Sequence, residues 1–111
     1  MKFKKLSLNK IPIEEAHGGQ GKRQILVNPG DVSSENLEAI TKGYLNKDSS
    51  FDWHTHDNMD EVFIVIKGSG EFFCEDEKAS YKEGDVFITP PNLNHKITAQ
   101  TDSEFYFVRV K

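Results

Sequence analysis

Two histidines one residue apart, His54-Thr55-His56, a glutamate at Glu61 and a third histidine at His95 are the residues of this sequence best suited to chemistry. In a strand, residues two apart project from the same face, so His54 and His56 would point together with Thr55 opposite. The polar stretch Asp57–Asp60 lets the chain turn before Glu61 opens the next run. If that run pairs with the first, its carboxylate lies beside the two imidazoles. His95, beyond Pro90-Pro91, brings a third nitrogen from elsewhere in the fold. Three imidazoles and one carboxylate suit a single divalent transition metal: Fe, Mn, Ni, Cu or Zn. Four protein ligands on one side of an octahedron would leave two positions for water, substrate or dioxygen. The lack of cysteine in the set argues against a closed structural zinc site.

The elements that must position these residues read as strands. Arg23–Val27 is a β-like run stopped by the turn Asn28-Pro29-Gly30-Asp31. Leu37–Leu45 suits a strand better than a helix, because no Glu or Gln follows three residues after Ser33 or Ser34 to complete a capping box. Phe51–His56 is the next run. Val62–Ile66, five apolar residues, reads as a strand buried on both faces, then a tight hairpin at Gly68-Ser69-Gly70 into Glu71–Glu75. A turn at Asp76-Glu77-Lys78 leads to Ser80–Lys82, a turn at Glu83-Gly84-Asp85 leads to Val86–Thr89, and His95–Thr98 and Phe105–Val110 complete the set. Short strands with frequent turns indicate an all-β sandwich or barrel.

The spacing resembles the cupin family. His54-x-His56, four residues, Glu61, six residues, Gly68 matches the core of the first cupin motif, about 48–68. Gly84, five residues, Pro90, four residues, His95 matches the second, about 84–99, with fifteen residues between Gly68 and Gly84. Three positions depart from the pattern. Asp48 stands where the first motif opens with glycine, Asn92 where a glycine follows the second motif's proline, and Ala99 where that motif ends in asparagine. None is a ligand position, and asparagine tolerates positive φ. The resemblance implies a single-domain RmlC-like jelly-roll barrel (a double-stranded β-helix) over residues 1–111, with a metal on His54, His56, Glu61 and His95. It also implies a range of activities, among them dioxygenation, isomerisation, decarboxylation and lyase reactions, beside non-catalytic binding. The leading expectation is a metalloenzyme acting on a small metabolite. The alternatives are a non-catalytic binder that anchors a carboxylate or sugar on the metal, and an interaction protein whose metal only stabilises the barrel.

Other residues carry weaker signals. Phe63 and Val65 share the parity of Glu61, and Phe105, Phe107 and Arg109 share a face of the last strand. They are read as core with some pocket lining, Arg109 being a candidate anion anchor. Trp53 opposes both histidines and is expected outside the barrel, while His17 is expected as a loop residue and Cys74 as a small apolar strand residue.

With 111 residues there is room for one domain, and a net charge of −4 without a basic stripe argues against a nucleic-acid surface. One cysteine cannot build a disulfide framework, and no run reaches the roughly 18 apolar residues of a membrane span. A cytoplasmic protein is therefore expected, binding a small molecule rather than nucleic acid or membrane. Residues 1–22 are expected as an N-terminal strand and a flexible loop. In a two-fold homodimer Lys2–Leu8 would cover a partner's exposed edge.

Overall fold

The computed structural model describes residues 2–16 and 18–111. Among them run ten strands and no α-helix: β1 (Glu14–Glu15), β2 (Lys22–Val27), β3 (Leu37–Leu45), β4 (Ser50–His54), β5 (Asp60–Lys67), β6 (Gly70–Cys74), β7 (Glu77–Tyr81), β8 (Val86–Thr89), β9 (His95–Ala99) and β10 (Ser103–Val110). They form two antiparallel sheets, one ordered β1-β2-β3-β10-β5-β8 and the other β4-β9-β6-β7. This is a two-sheet jelly roll. Its interior is an aromatic-rich core supplied by both sheets, with Leu45, Phe63, Val65 and Phe105 from one and Phe51, Phe72, Tyr81 and Ile97 from the other.

Alternation along the strands decides which side chains enter that core. In β3 every second residue from Ala39 to Leu45 is buried. In β5 the five-residue apolar run does the same, which corrects the expectation of a strand buried on both faces. Phe63 and Val65 are 0% and 1% exposed, whereas Ile64 and Ile66 are each 36% exposed. An antiparallel sheet in a two-sheet barrel has one face covered and one open. The outer β-branched residues satisfy strand propensity rather than burial. Register lines up Ile40, Val108, Val62 and Ile88 as an uncharged outer row across four strands.

The link at Gly68-Ser69 is a crossover between sheets, not the expected hairpin, because β5 pairs with β10 and β8 while β6 pairs with β7 and β9. Its shape depends on Gly68, whose φ is +95° and whose missing Cβ would lie 2.3 Å from Ser103 Oγ and 2.5 Å from the Asp102 carbonyl oxygen. A Gly68→Ala substitution adds left-handed backbone strain and a clash with main chain. It should cost about 2 kcal/mol or more. The urea midpoint measures it, and an unchanged midpoint would count against this account of the crossover.

Lys2–Leu8 forms no strand within the chain and runs into a short 3-10 turn at Leu8–Lys10. The turn is held against β2 by Gln24, whose side-chain amide donates to the carbonyls of Leu8 and Ile11 at 2.9 Å each. Further along, Gln20 N–H donates to the Ser50 carbonyl and Asp52 N–H to that of Gly18. His17 lies outside the described residues.

Candidate metal centre

The three site histidines belong to the four-stranded sheet and its margin. His54 ends β4 and His95 opens β9, directly opposite each other in the register. Strict alternation would not have buried Phe51 and also turned His54 inward. A register shift between Phe51 and His54 does so, re-aiming the side chain as β-bulges do. The same shift leaves Trp53 outside, 45% exposed, with its ring 6.2 Å from that of Phe73. His56 follows beyond the strand end, and the Asn92 backbone N–H donates to its carbonyl at 3.0 Å, tying it to the loop before β9. The three rings lie 4.2 to 5.3 Å apart by centroid.

Backbone carbonyls set the tautomers of two of these rings. His54 Nδ1 lies 2.7 Å from the Asp52 carbonyl oxygen, and His95 Nδ1 lies 2.9 Å from that of Leu93. A carbonyl only accepts, so each Nδ1 carries a proton and Nε2 is the ring atom left to bind a cation. This is the usual outer partner of a metal-ligating histidine.

Glu61 comes from the opposite sheet. β5 does not pair with β4, so its carboxylate faces the histidines across the barrel rather than lying beside them in one sheet. Its oxygens lie 3.1 Å from His56 Nε2 and 3.4 Å from His95 Nε2. Neither nitrogen makes an aligned hydrogen bond, although both are buried. One ligand atom from each of His54, His56, Glu61 and His95 falls within 4.8 Å of the other three. Polar atoms buried this close together without aligned hydrogen bonds are costly, and a cation between them removes the cost. The four residues therefore fit a divalent metal ion in position and in donor chemistry.

The electrostatics agree with that fit. Burial alone would raise the Glu61 carboxyl, but the facing His56 and His95 outweigh it and hold it at about 2. Burial would lower His95, and its contact with Glu61 outweighs that, whereas His54 is lowered chiefly by burial. Glu61 is thus an anion at neutral pH, as a metal ligand must be.

Beside the cluster opens a cavity of about 350 Å³, lined by His54, His56 and Glu61 and walled by Phe51, Ile97 and Phe107. Of the sequence-read candidates, Phe107 and Arg109 line it; Phe63, Val65 and Phe105 are core instead. Cys74 shares the inner face of β6 with Phe72 and packs on the core opposite His95, away from the cavity lining. Arg23, Thr41, Thr55 and Phe51 also line the cavity and escaped sequence reading. Arg23 had a weak signal, since it shares the inner parity of Ile25 in a short run that otherwise looks ordinary.

Residues 44–111 match the family model of the cupin domain. The chain belongs to the cupin family. An uncharacterized protein of Methanocaldococcus jannaschii is 34% identical over 44 residues, 40% of this chain and 35% of that protein. The aligned segment thus spans about a third of the curated relatives' length. Among solved structures, a protein described as a predicted oxalate decarboxylase from Thermotoga maritima superposes with a TM-score of 0.87 at 23% identity, covering 96% of this chain and 98% of that one. An RmlC-like cupin from Shewanella frigidimarina gives 0.78 at 23% identity, covering 95% and 87%. These likenesses establish the fold. Among the described residues no helix is long and apolar enough to cross a membrane.

Proposed function

We propose that this protein is a mononuclear divalent-metal enzyme that holds a small metabolite in its barrel and acts on it by a dioxygenase, isomerase or lyase reaction. The observation carrying this reading is the inward convergence of buried, hydrogen-bond-free imidazole nitrogens on the Glu61 carboxylate, at the wall of a cavity. A divalent ion bound there supplies Lewis acidity toward a substrate oxygen, or dioxygen activation if it is iron.

The chain's own residues do the rest. His54, His56, Glu61 and His95 hold the ion, and the carbonyls of Asp52 and Leu93 fix two of the rings. Phe51, Ile97 and Phe107 exclude water from one side of the cavity and seat an apolar portion of the substrate. Apart from the proposed ligands, the lining offers no carboxylate, lysine, cysteine or tyrosine among the described residues. Proton transfer therefore falls to Glu61 or to the substrate itself. The likeness to a predicted oxalate decarboxylase makes a lyase reaction the first to test.

The test loads the protein separately with Fe, Mn, Ni, Cu and Zn and follows oxygen uptake, carbon dioxide release and product formation over a panel of small acids and sugars. Turnover by at least one loaded form, absent from metal-free protein, is expected. Binding without turnover for every metal would overturn the enzymatic reading in favour of a metal-anchored binding protein.

A further inference from the structure

Arg109 has a buried Nε without a hydrogen-bond partner and makes no ion pair among the described residues. Its position makes this unusual. In the β10–β5 register Arg109 lies directly opposite Glu61, where facing Cβ atoms are about 5 Å apart. A guanidinium beside a carboxylate ordinarily pairs with it, in bidentate fashion where geometry allows. Here the Glu61 oxygens face His56 and His95 at 3.1 and 3.4 Å, and Arg109 lines the cavity instead of pairing with them. An unsatisfied guanidinium nitrogen away from water is costly. A ligand anion that pairs with the guanidinium where it lines the cavity offsets that cost.

The charge of the cavity points the same way. Among the described residues its lining holds two guanidinium groups, Arg23 and Arg109, against the single carboxylate of Glu61. Arg23 is already met from outside the lining by Glu14, at 2.9 Å. Arg109 and a divalent ion together leave a surplus of positive charge in a chain whose net charge is −4. Such a concentrated field in an acidic protein selects anions. Opposite it, Phe51, Ile97 and Phe107 provide apolar surface for the body of the ligand.

We infer that the cavity takes a small organic acid, its carboxylate on Arg109, its hydrocarbon body against Phe51, Ile97 and Phe107, and a second oxygen turned toward the metal cluster. The assignment of that second oxygen rests on the proposed function above; the carboxylate site on Arg109 does not.

Calorimetric titration of zinc-loaded protein with lactate and mandelate, beside lactamide and mandelamide, tests it. The acids should bind roughly tenfold or more tightly than their amides, as expected for a charge-assisted pair. Arg109→Gln should erase that preference with zinc content and melting temperature unchanged, and Arg109→Lys should keep part of it. Repeating the titration on metal-free protein separates the two readings. The acid preference should persist there even if the wild type retains no zinc at all. Equal binding of acids and amides, no binding of either acid at millimolar concentration, or an undiminished preference in Arg109→Gln would each overturn the assignment.

Discussion

His95→Ala should reduce the metal content of reconstituted protein from one ion per chain to below about a tenth, and should abolish stabilisation by metal. His95 is 1% exposed and its ring is oriented by the Leu93 carbonyl, so its nitrogen is a fixed, buried member of the set. Removing an outer partner of a metal ligand already weakens affinity about 10- to 100-fold, and losing the ligand itself should cost more. Because the ion would bind the folded barrel and not the unfolded chain, saturating metal should stabilise the wild type by about 4 kcal/mol at a thousandfold excess over Kd. For a domain of this size that corresponds to roughly 15 °C or more in melting temperature. The variant should melt at one temperature with or without chelator. Asp57→Ala, an exposed residue of the neighbouring loop, serves as the control and should leave both readouts intact. Elemental analysis and calorimetry together decide the matter. A His95→Ala protein that still holds a stoichiometric ion would remove His95 from the ligand set.

The four site residues were legible in the sequence because three of the chain's four histidines and Glu61 fall at the spacing of a known motif pair, and the structure brings all four together. Leu37–Leu45 was legible as a strand because no capping box follows Ser33 or Ser34 and the run leads into further β-like sequence, and β3 has those bounds. Which sheet each strand joins was not legible. Periodicity fixes the face of a side chain but not its partner strand, so the link at Gly68 read as a hairpin and Glu61 as a neighbour of the histidines within one sheet. The bulge between Phe51 and His54 was equally hidden, because an inserted residue looks like any other until its partner strand is known.

The departures from the family pattern prove informative. Asp48 and Asn92 both adopt positive φ, at 68° and 67°, where the pattern has glycine. The backbone demand is therefore intact, and it is met by residue types that tolerate it. Arg109 was visible only as a charged residue of inward parity. What the sequence could not show is that its obvious partner, Glu61, faces two imidazoles instead of pairing with it.

Phe63→Ala should be the most destabilising single change in the core, costing about 3–5 kcal/mol. Phe63 is fully buried at the centre of an aromatic cluster. Its ring stacks on Phe87 at 4.8 Å and meets Phe72, Phe107 and Phe105 at 5.1, 5.6 and 6.0 Å. These neighbours belong to both sheets and are themselves anchored in strands, so the vacated volume cannot collapse cheaply. Against a total stability of about 5–15 kcal/mol, the loss should leave a detectable unfolded population at room temperature. Urea unfolding of metal-free protein measures it, and a loss below about 1 kcal/mol would mean that the cluster relaxes freely. The same substitution reaches the metal centre along the strand. Glu61 and Phe63 are successive inward residues of β5, and the Phe63–Phe72 contact holds that strand against the sheet carrying His54 and His95. Loosening it lets the carboxylate drift from the imidazoles, so metal affinity should fall as well. The deficit of Phe63→Ala should accordingly be larger with metal present than in its absence. Equal deficits in the two forms would show that the barrel tolerates the cavity without moving Glu61.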